Sequence, residues 1–293
     1  MDADGENRAA ARDERGSLEH DGCLLAYRRR GAVGPPVVFV QGVGVHGDGW
    51  DAQTDDLREG WSCLSFDHRG MAQSQPQAGA ISVERLAGDV VALMDAQGWR
   101  AAHLVGHSLG ALVALETAAA APARVLSLAL MCTAPRGRDA TRVTWPIARL
   151  GLAAAIGSPR ARRRAFLRLV LPPGVLQGAD LDAVAAALAP RFGHDLAEQP
   201  PVVDAQLAAL RRYDARPRLA RLPRVPTLVL SAALDPIAPP RYGRLLAAAI
   251  PGSRFVCVPD AAHGVTMHRA ADVNAIVRDH LAAAEAGAGD RAW

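Results

Sequence analysis

Three residue types in one chain order can together make a hydroxyl attack a carbonyl. Ser108 stands at the centre of Gly106-His107-Ser108-Leu109-Gly110. The apolar run His103-Leu104-Val105 precedes it, and an Ala- and Leu-rich helical stretch, Ala111 to Ala120, follows. Strand, tight turn with glycines two residues either side of a serine, then helix is the nucleophile-elbow pattern. Such a turn holds the serine backbone in a strained conformation, and a Cβ at 106 or 110 would crowd the adjoining strand and helix. The hydroxyl is then expected at the sheet edge, at a helix N-terminus that favours developing negative charge.

A serine hydroxyl is a weak nucleophile until a base takes its proton, and that base needs a carboxylate to orient it. The chain supplies Asp235 after the apolar run Thr227 to Ser231, and His263 after Arg254 to Val258. Loops at the C-terminal ends of parallel strands share one edge, so Ser108, Asp235 and His263 can meet there. His268 competes with His263 as base. Asp260 competes with Asp235 as acid, but three residues from His263 it is too close along the chain to orient the ring. The turn after Val125–Met131 reads Cys132-Thr133-Ala134 and offers no carboxylate.

Acyl transfer also requires donors for an oxyanion. The amide of Leu109, next after the nucleophile, is one candidate. The other is the amide of Val43, in the loop Gln41-Gly42-Val43-Gly44-Val45-His46-Gly47-Asp48-Gly49-Trp50, where Gly42 leaves room for close approach. Gln41, Gly42 and His107 are candidate pocket residues. A phosphate cradle fits this loop poorly, because no Lys or Ser/Thr follows at P-loop spacing.

The elements that must position these residues alternate. Strand candidates at Leu24–Tyr27, Val37–Val40, Trp61–Phe66, His103–Val105 and Val125–Met131 are interleaved with a helix capped by Ser82 and with the elbow helix. Continuous apolar strands imply burial on both faces, and the alternation implies an α/β, doubly wound, mostly parallel sheet. From 134 to 222 the alternation stops. Helical patterns at Ile147–Ile156, Ala161–Val170, Leu181–Leu188 and Val203–Tyr213 are expected to form a helical cap over the strands' C-terminal edge. Trp145, Phe166 and Tyr213 are candidates to line a pocket there, and at helical spacing in an Ala-rich insertion they suit its core equally. The core is expected to comprise 18–133 and 223–284, after a disordered leader at 1–17.

Composition sets outer limits. At 293 residues, half of them hydrophobic, one large α/β domain is expected. The net charge of +3 is small; all 33 basic residues are Arg, with abundant Ala and Gly, as GC-rich coding produces. No basic stripe with interleaved aromatics points to nucleic acid. The runs Arg28–Arg30 and Arg160, Arg162–Arg164 are expected to be solvated faces, the first a sheet edge. Cys23, Cys63, Cys132 and Cys257 have no metal-ligand spacing and are expected as free thiols, mostly buried. No run of eighteen apolar residues predicts a membrane span, and the polar N-terminus has no signal-peptide character, so a cytoplasmic location is the expectation.

The loop QGVGVHGDGW, the segment DHRGMAQS, the elbow GHSLG, the turn LSAALDP and the late AAHG together resemble the α/β-hydrolase superfamily from about Leu18 to Leu281. The arrangement is similar to capped members of the proline-iminopeptidase and 3-oxoadipate enol-lactonase kinds. The resemblance implies Ser108 as nucleophile, Asp235 as acid and His263 as base, with no metal or organic cofactor. Relatives usually carry His-Gly at Gln41-Gly42, which alters a side chain beside the oxyanion site, and Gly at Ala72, a matter of loop packing. The implied function is hydrolysis of an ester, lactone or thioester of a small or medium organic molecule. Cofactor-free lyase, C–C hydrolase or perhydrolase chemistry suits the same scaffold. A binding protein that kept the pocket without turnover is the third reading. Epoxide and haloalkane hydrolysis are disfavoured, because those relatives place Asp at the Ser108 position.

Overall fold

The computed structural model describes residues 13–31, 34–76, 78–141 and 157–287. Eight strands form one sheet: β1 (Asp13–His20), β2 (Cys23–Arg30), β3 (Pro36–Val40), β4 (Ser62–Phe66), β5 (Ala102–His107), β6 (Val125–Met131), β7 (Thr227–Ala232) and β8 (Arg254–Val258). Their spatial order is β1-β2-β4-β3-β5-β6-β7-β8. The pairs β1–β2 and β2–β4 are antiparallel, and every pair from β4 to β8 is parallel. Eight longer helices accompany them: α1 (Asp51–Leu57), α2 (Val83–Ala96), α3 (Leu109–Ala120), α4 (Pro159–Val170), α5 (Leu181–Phe192), α6 (Pro201–Arg212), α7 (Pro240–Ala249) and α8 (Ala270–Ala286). Among the described residues no helix is long and apolar enough to cross a membrane.

The apolar strands are buried on both faces, as their unbroken hydrophobic runs require. Side chains alternate across a strand, so Val38 and Val40 join one cluster with α2 and α3, while Val37 and Phe39 join another with α1 and α8. Leu128 and Leu130 of β6 divide from Ala129 and Met131 in the same way. Ser82 caps α2 by accepting from the Arg85 amide at 3.1 Å.

Between β6 and β7 the described residues hold helices but no strand. Leu167 and Val170 of α4 pack with Ala185 and Phe192 of α5 in a separate apolar cluster, which Val45 of the loop after β3 completes. By contrast, Val202, Ala209 and Leu210 of α6 join the main cluster beneath the sheet's helices. The stretch expected as a helix at Ile147–Ile156 lies outside the described residues, as does Trp145.

Two expectations need correction. The leader expected to run to 17 gives way at Asp13, where β1 begins. Its polar residues concealed it, because an edge strand is held by backbone pairing with β2 and needs little side-chain burial. The Arg28–Arg30 run is no sheet edge: it is part of β2, between β1 and β4. Arg30 is only 3% exposed and donates to Asp51 Oδ1 at 2.8 Å and to the Thr54 hydroxyl. The insertion arginines lie at least partly open to solvent, as expected, and two of the four also make ion pairs. Arg160 pairs with Asp182 at 2.7 Å, and Arg163 donates to Asp195. Cys23, Cys63 and Cys132 are buried free thiols, and Cys257 is half-buried.

Candidate active site

Ser108 sits between β5 and α3 with φ 54° and ψ −115°, the left-handed backbone that only a sharply constrained turn imposes on serine. The flanking glycines explain how the chain fits. A Cβ on Gly106 would stand 2.4 Å from the Gly110 carbonyl oxygen, and one on Gly110 only 2.0 Å from the Val40 carbonyl oxygen. Strand β3, strand β5 and helix α3 therefore touch backbone to backbone around the serine. The Ser108 amide donates to the Met131 carbonyl at 2.8 Å, fixing the turn to β6.

Asp235 and His263 arrive from the ends of β7 and β8. Two backbone bonds join their loops: Ala233 N–H donates to Val258 and Leu234 N–H donates to Ala261. His263 Nδ1 is 2.7 Å from Asp235 Oδ2, and its Nε2 is 3.1 Å from Ser108 Oγ. Asp235 Oδ1 accepts from the amides of Ile237 and Ala238 at 2.8 and 2.9 Å. All three residues are buried, at 8%, 3% and 8% exposure for Ser108, Asp235 and His263. Burial alone would raise the Asp235 pKa, but the His263 charge, its hydrogen bond and the two amides outweigh that and hold the carboxyl below its ordinary value. The arrangement can pass a proton from the hydroxyl to the imidazole while an ionised carboxylate steadies the ring.

His107 packs beside the dyad, its ring centroid 4.8 Å from that of His263. Its Nε2 lies 2.8 Å from the His263 carbonyl oxygen. Burial, reinforced by the neighbouring imidazole, pushes its pKa down to about 3, so the ring is neutral and donates from Nε2. Among the described residues, the three-residue group with metal-ligand atoms close together is His107, Cys132 and His263, within 4.8 Å. Both nitrogens of His263 are already engaged by Asp235 and Ser108. Burial also raises the Cys132 thiol well above its ordinary value, which leaves it protonated and a poor ligand.

The glycine-rich loop lies against the serine. A Cβ at Gly42 would meet His107 Nδ1 at 3.2 Å and Ser108 Cβ at 3.3 Å. The amides of Val43 and Leu109 make no hydrogen bond among the described residues. Three braces hold the loop. His68 Nε2 donates to the Gln41 carbonyl at 2.9 Å, Asp67 Oδ1 accepts from the Gly47 amide at 2.8 Å, and Gln206 Oε1 accepts from the Gly44 amide at 2.9 Å. The segment DHRGMAQS thus acts on this loop from below. Its Arg69 makes a buried ion pair with Asp89, Nε to Oδ2 at 2.8 Å.

A cavity of about 310 Å³ opens over Ser108 and His263. Gln41, Gly42, Val43 and His107 line its floor; Phe166, Leu169, Phe192, Leu207, Leu210, Ile237 and Met267 make most of its walls. Phe166 is therefore a wall residue, set edge-on to Phe192 at 4.9 Å. Tyr213 is not: it is buried and donates to Glu116 Oε2 at 2.6 Å. The competitors separate equally clearly. His268 Nδ1 contacts the Gly264 carbonyl at 2.9 Å, and Asp260 occupies a left-handed turn at φ 49° without contacting His263. Sequence reasoning missed Gln206 and Arg211. The signal for Arg211 was its spacing from Leu207 and Leu210 on one helical face.

Residues 35–269 match the model of the alpha/beta hydrolase fold family. A protein of Klebsiella pneumoniae described as a candidate carbamate hydrolase, RutD, is 32% identical over 254 residues, covering 85% of this chain and 92% of that protein. The enol-lactonase from Burkholderia xenovorans LB400 superposes with a TM-score of 0.76 at 28% identity, covering 91% of this chain and all of that one. A hydrolase from Pseudomonas aeruginosa PA01 gives 0.76 at 29% identity, over 91% and 98% of the two chains. With its sheet order, its strained serine turn and this matched length, the chain belongs to the α/β-hydrolase family.

Proposed function

We propose that the chain is a serine hydrolase that cleaves an ester, lactone or thioester of a small or medium organic substrate. The observation that carries this reading is the unbroken hydrogen-bonded series Ser108–His263–Asp235 at the floor of an apolar cavity. In this reading Ser108 Oγ attacks the carbonyl carbon as its proton passes to His263 Nε2. The amides of Val43 and Leu109 receive the oxyanion. Protonated His263, steadied by Asp235, then protonates the leaving group, and an acyl-Ser108 ester remains. Water repeats the sequence: His263 takes its proton, the acid departs, and Ser108 regains its hydrogen.

In this reading the described residues 134–141 and 157–222 act as the cap that shapes the substrate site, over the sheet and its flanking helices. Gln41 borders the oxyanion site, where its buried amide reaches the Gly47 carbonyl at 3.5 Å. The similarity to a protein described as a carbamate hydrolase and to an enol-lactonase supports carbonyl-centred hydrolysis. Turnover of 4-nitrophenyl esters tests the reading. Release of 4-nitrophenol is expected from the intact chain and not from Ser108→Ala. Equal release by both would refute the assignment of Ser108.

A further inference from the structure

We propose that Arg211 selects substrates that carry a carboxylate on the part of the molecule remote from the reacting carbonyl. This rests on the serine-hydrolase reading of the site. The cavity over Ser108 is walled by aliphatic and aromatic side chains, and among the described residues no Asp or Glu lines it. Arg211 is the one residue of permanent charge among its lining residues. Leu210 and Arg211 follow Leu207 by three and four residues, so α6 presents all three toward the cavity.

The arginines of this region divide into those paired with a carboxylate and those, Arg211 and Arg212 among them, that have no such partner among the described residues. Arg160, Arg163, Arg216 and Arg218 are each paired with a carboxylate. Arg211 is exposed and has neither ion pair nor hydrogen bond among the described residues. A guanidinium is a planar fork of donors matched to a carboxylate, and an apolar surround strengthens that pairing. The remaining apolar walls then suit an apolar body between the two ends of the substrate.

A matched pair of chromogenic esters tests this: mono-4-nitrophenyl glutarate, which ends in a carboxylate, and its methyl ester, which is neutral. For the intact chain, kcat/KM is expected to favour the acid by about tenfold at low ionic strength. The preference should fall toward unity in strong salt, because the cation is exposed. Arg211→Gln should abolish it, with kcat/KM falling far more for the acid than for the neutral ester, and Arg211→Lys should keep part of it. Equal turnover of the two esters by the intact chain, or a preference that survives Arg211→Gln, would overturn the proposal. Failure of the hydrolase reading shows separately, as no turnover of either ester. Calorimetric binding of glutarate monomethyl ester and dimethyl glutarate to the Ser108→Ala protein then decides the role of Arg211. Tighter binding of the acid, lost on adding Arg211→Gln, supports it; equal binding overturns it.

Discussion

The Gly44 amide donates to Gln206 Oε1 at 2.9 Å, a bond that joins the glycine-rich loop after β3 to helix α6 across 162 residues of sequence. Gln206 is fully buried, and its Nε2 has no partner among the described residues. The acceptor is therefore the part of this side chain in use. Gln206→Met keeps the volume but leaves the Gly44 N–H without an acceptor, a cost of about 1–3 kcal/mol that a shift of the loop can relieve. Because Val43 precedes Gly44, such a shift displaces the proposed oxyanion donor. We expect kcat to fall about tenfold or more with KM changed much less, read by steady-state ester kinetics. A rise in KM at constant kcat would show that Gln206 only shapes the pocket.

Ala72 offers a test of backbone strain away from the site. It is exposed and has φ 42°, in the left-handed region that costs an L-residue about 1 kcal/mol. The Ala72→Gly substitution removes that cost, against some added freedom of the unfolded chain. A gain of about 0.5 kcal/mol in denaturant unfolding is expected, with ester turnover unchanged. A loss of stability would mean that the methyl group packs in a way its exposure does not suggest.

Acid sensitivity follows from histidines far from Ser108. Burial lowers His103 to about 3 and His280 to about 4, from an ordinary 6.5. Above pH 6.5 neither is charged in the folded or the unfolded chain. Between 6.5 and the folded values, unfolding takes up protons, so stability falls as pH is lowered through that window, by about 1.4 kcal/mol per pH unit for each proton. His68, His107 and His268 act in the same direction. Glu285, raised by burial, opposes them toward the acid end of the window. Thermal melting at pH 5.5 and 7.5 should show the drop. The double variant His103→Asn/His280→Asn should show a shallower one, whatever its absolute stability. An unchanged slope would remove these two rings from the account.

What the sequence made legible was the part written in local sterics. Gly106 and Gly110 encode the turn because nothing larger fits between Val40, Ser108 and α3. Asp235 and His263 could be read because each follows an apolar strand, and a parallel sheet gathers such ends at one edge. Gln206 and Arg211 could not be read this way. Their meaning depends on how α6 docks, and a helical pattern says which face is apolar but not what it meets. The strand at Asp13–His20 escaped notice because backbone pairing, not hydrophobic alternation, holds it. Arg30 misled for the opposite reason: a charge run usually faces solvent, yet here Asp51 and Thr54 accept from the guanidinium inside the fold.

The central claim is that His263 and Asp235 activate Ser108. Labelling with a fluorophosphonate probe tests it most directly, because phosphonylation needs an activated serine and no knowledge of the substrate. Covalent labelling of the intact chain is expected, mapped by mass spectrometry to the peptide containing Ser108. No labelling is expected of Ser108→Ala, and labelling slowed by about a thousandfold or more of His263→Ala. A folded intact chain that takes no probe, or one labelled equally well without His263, would contradict it.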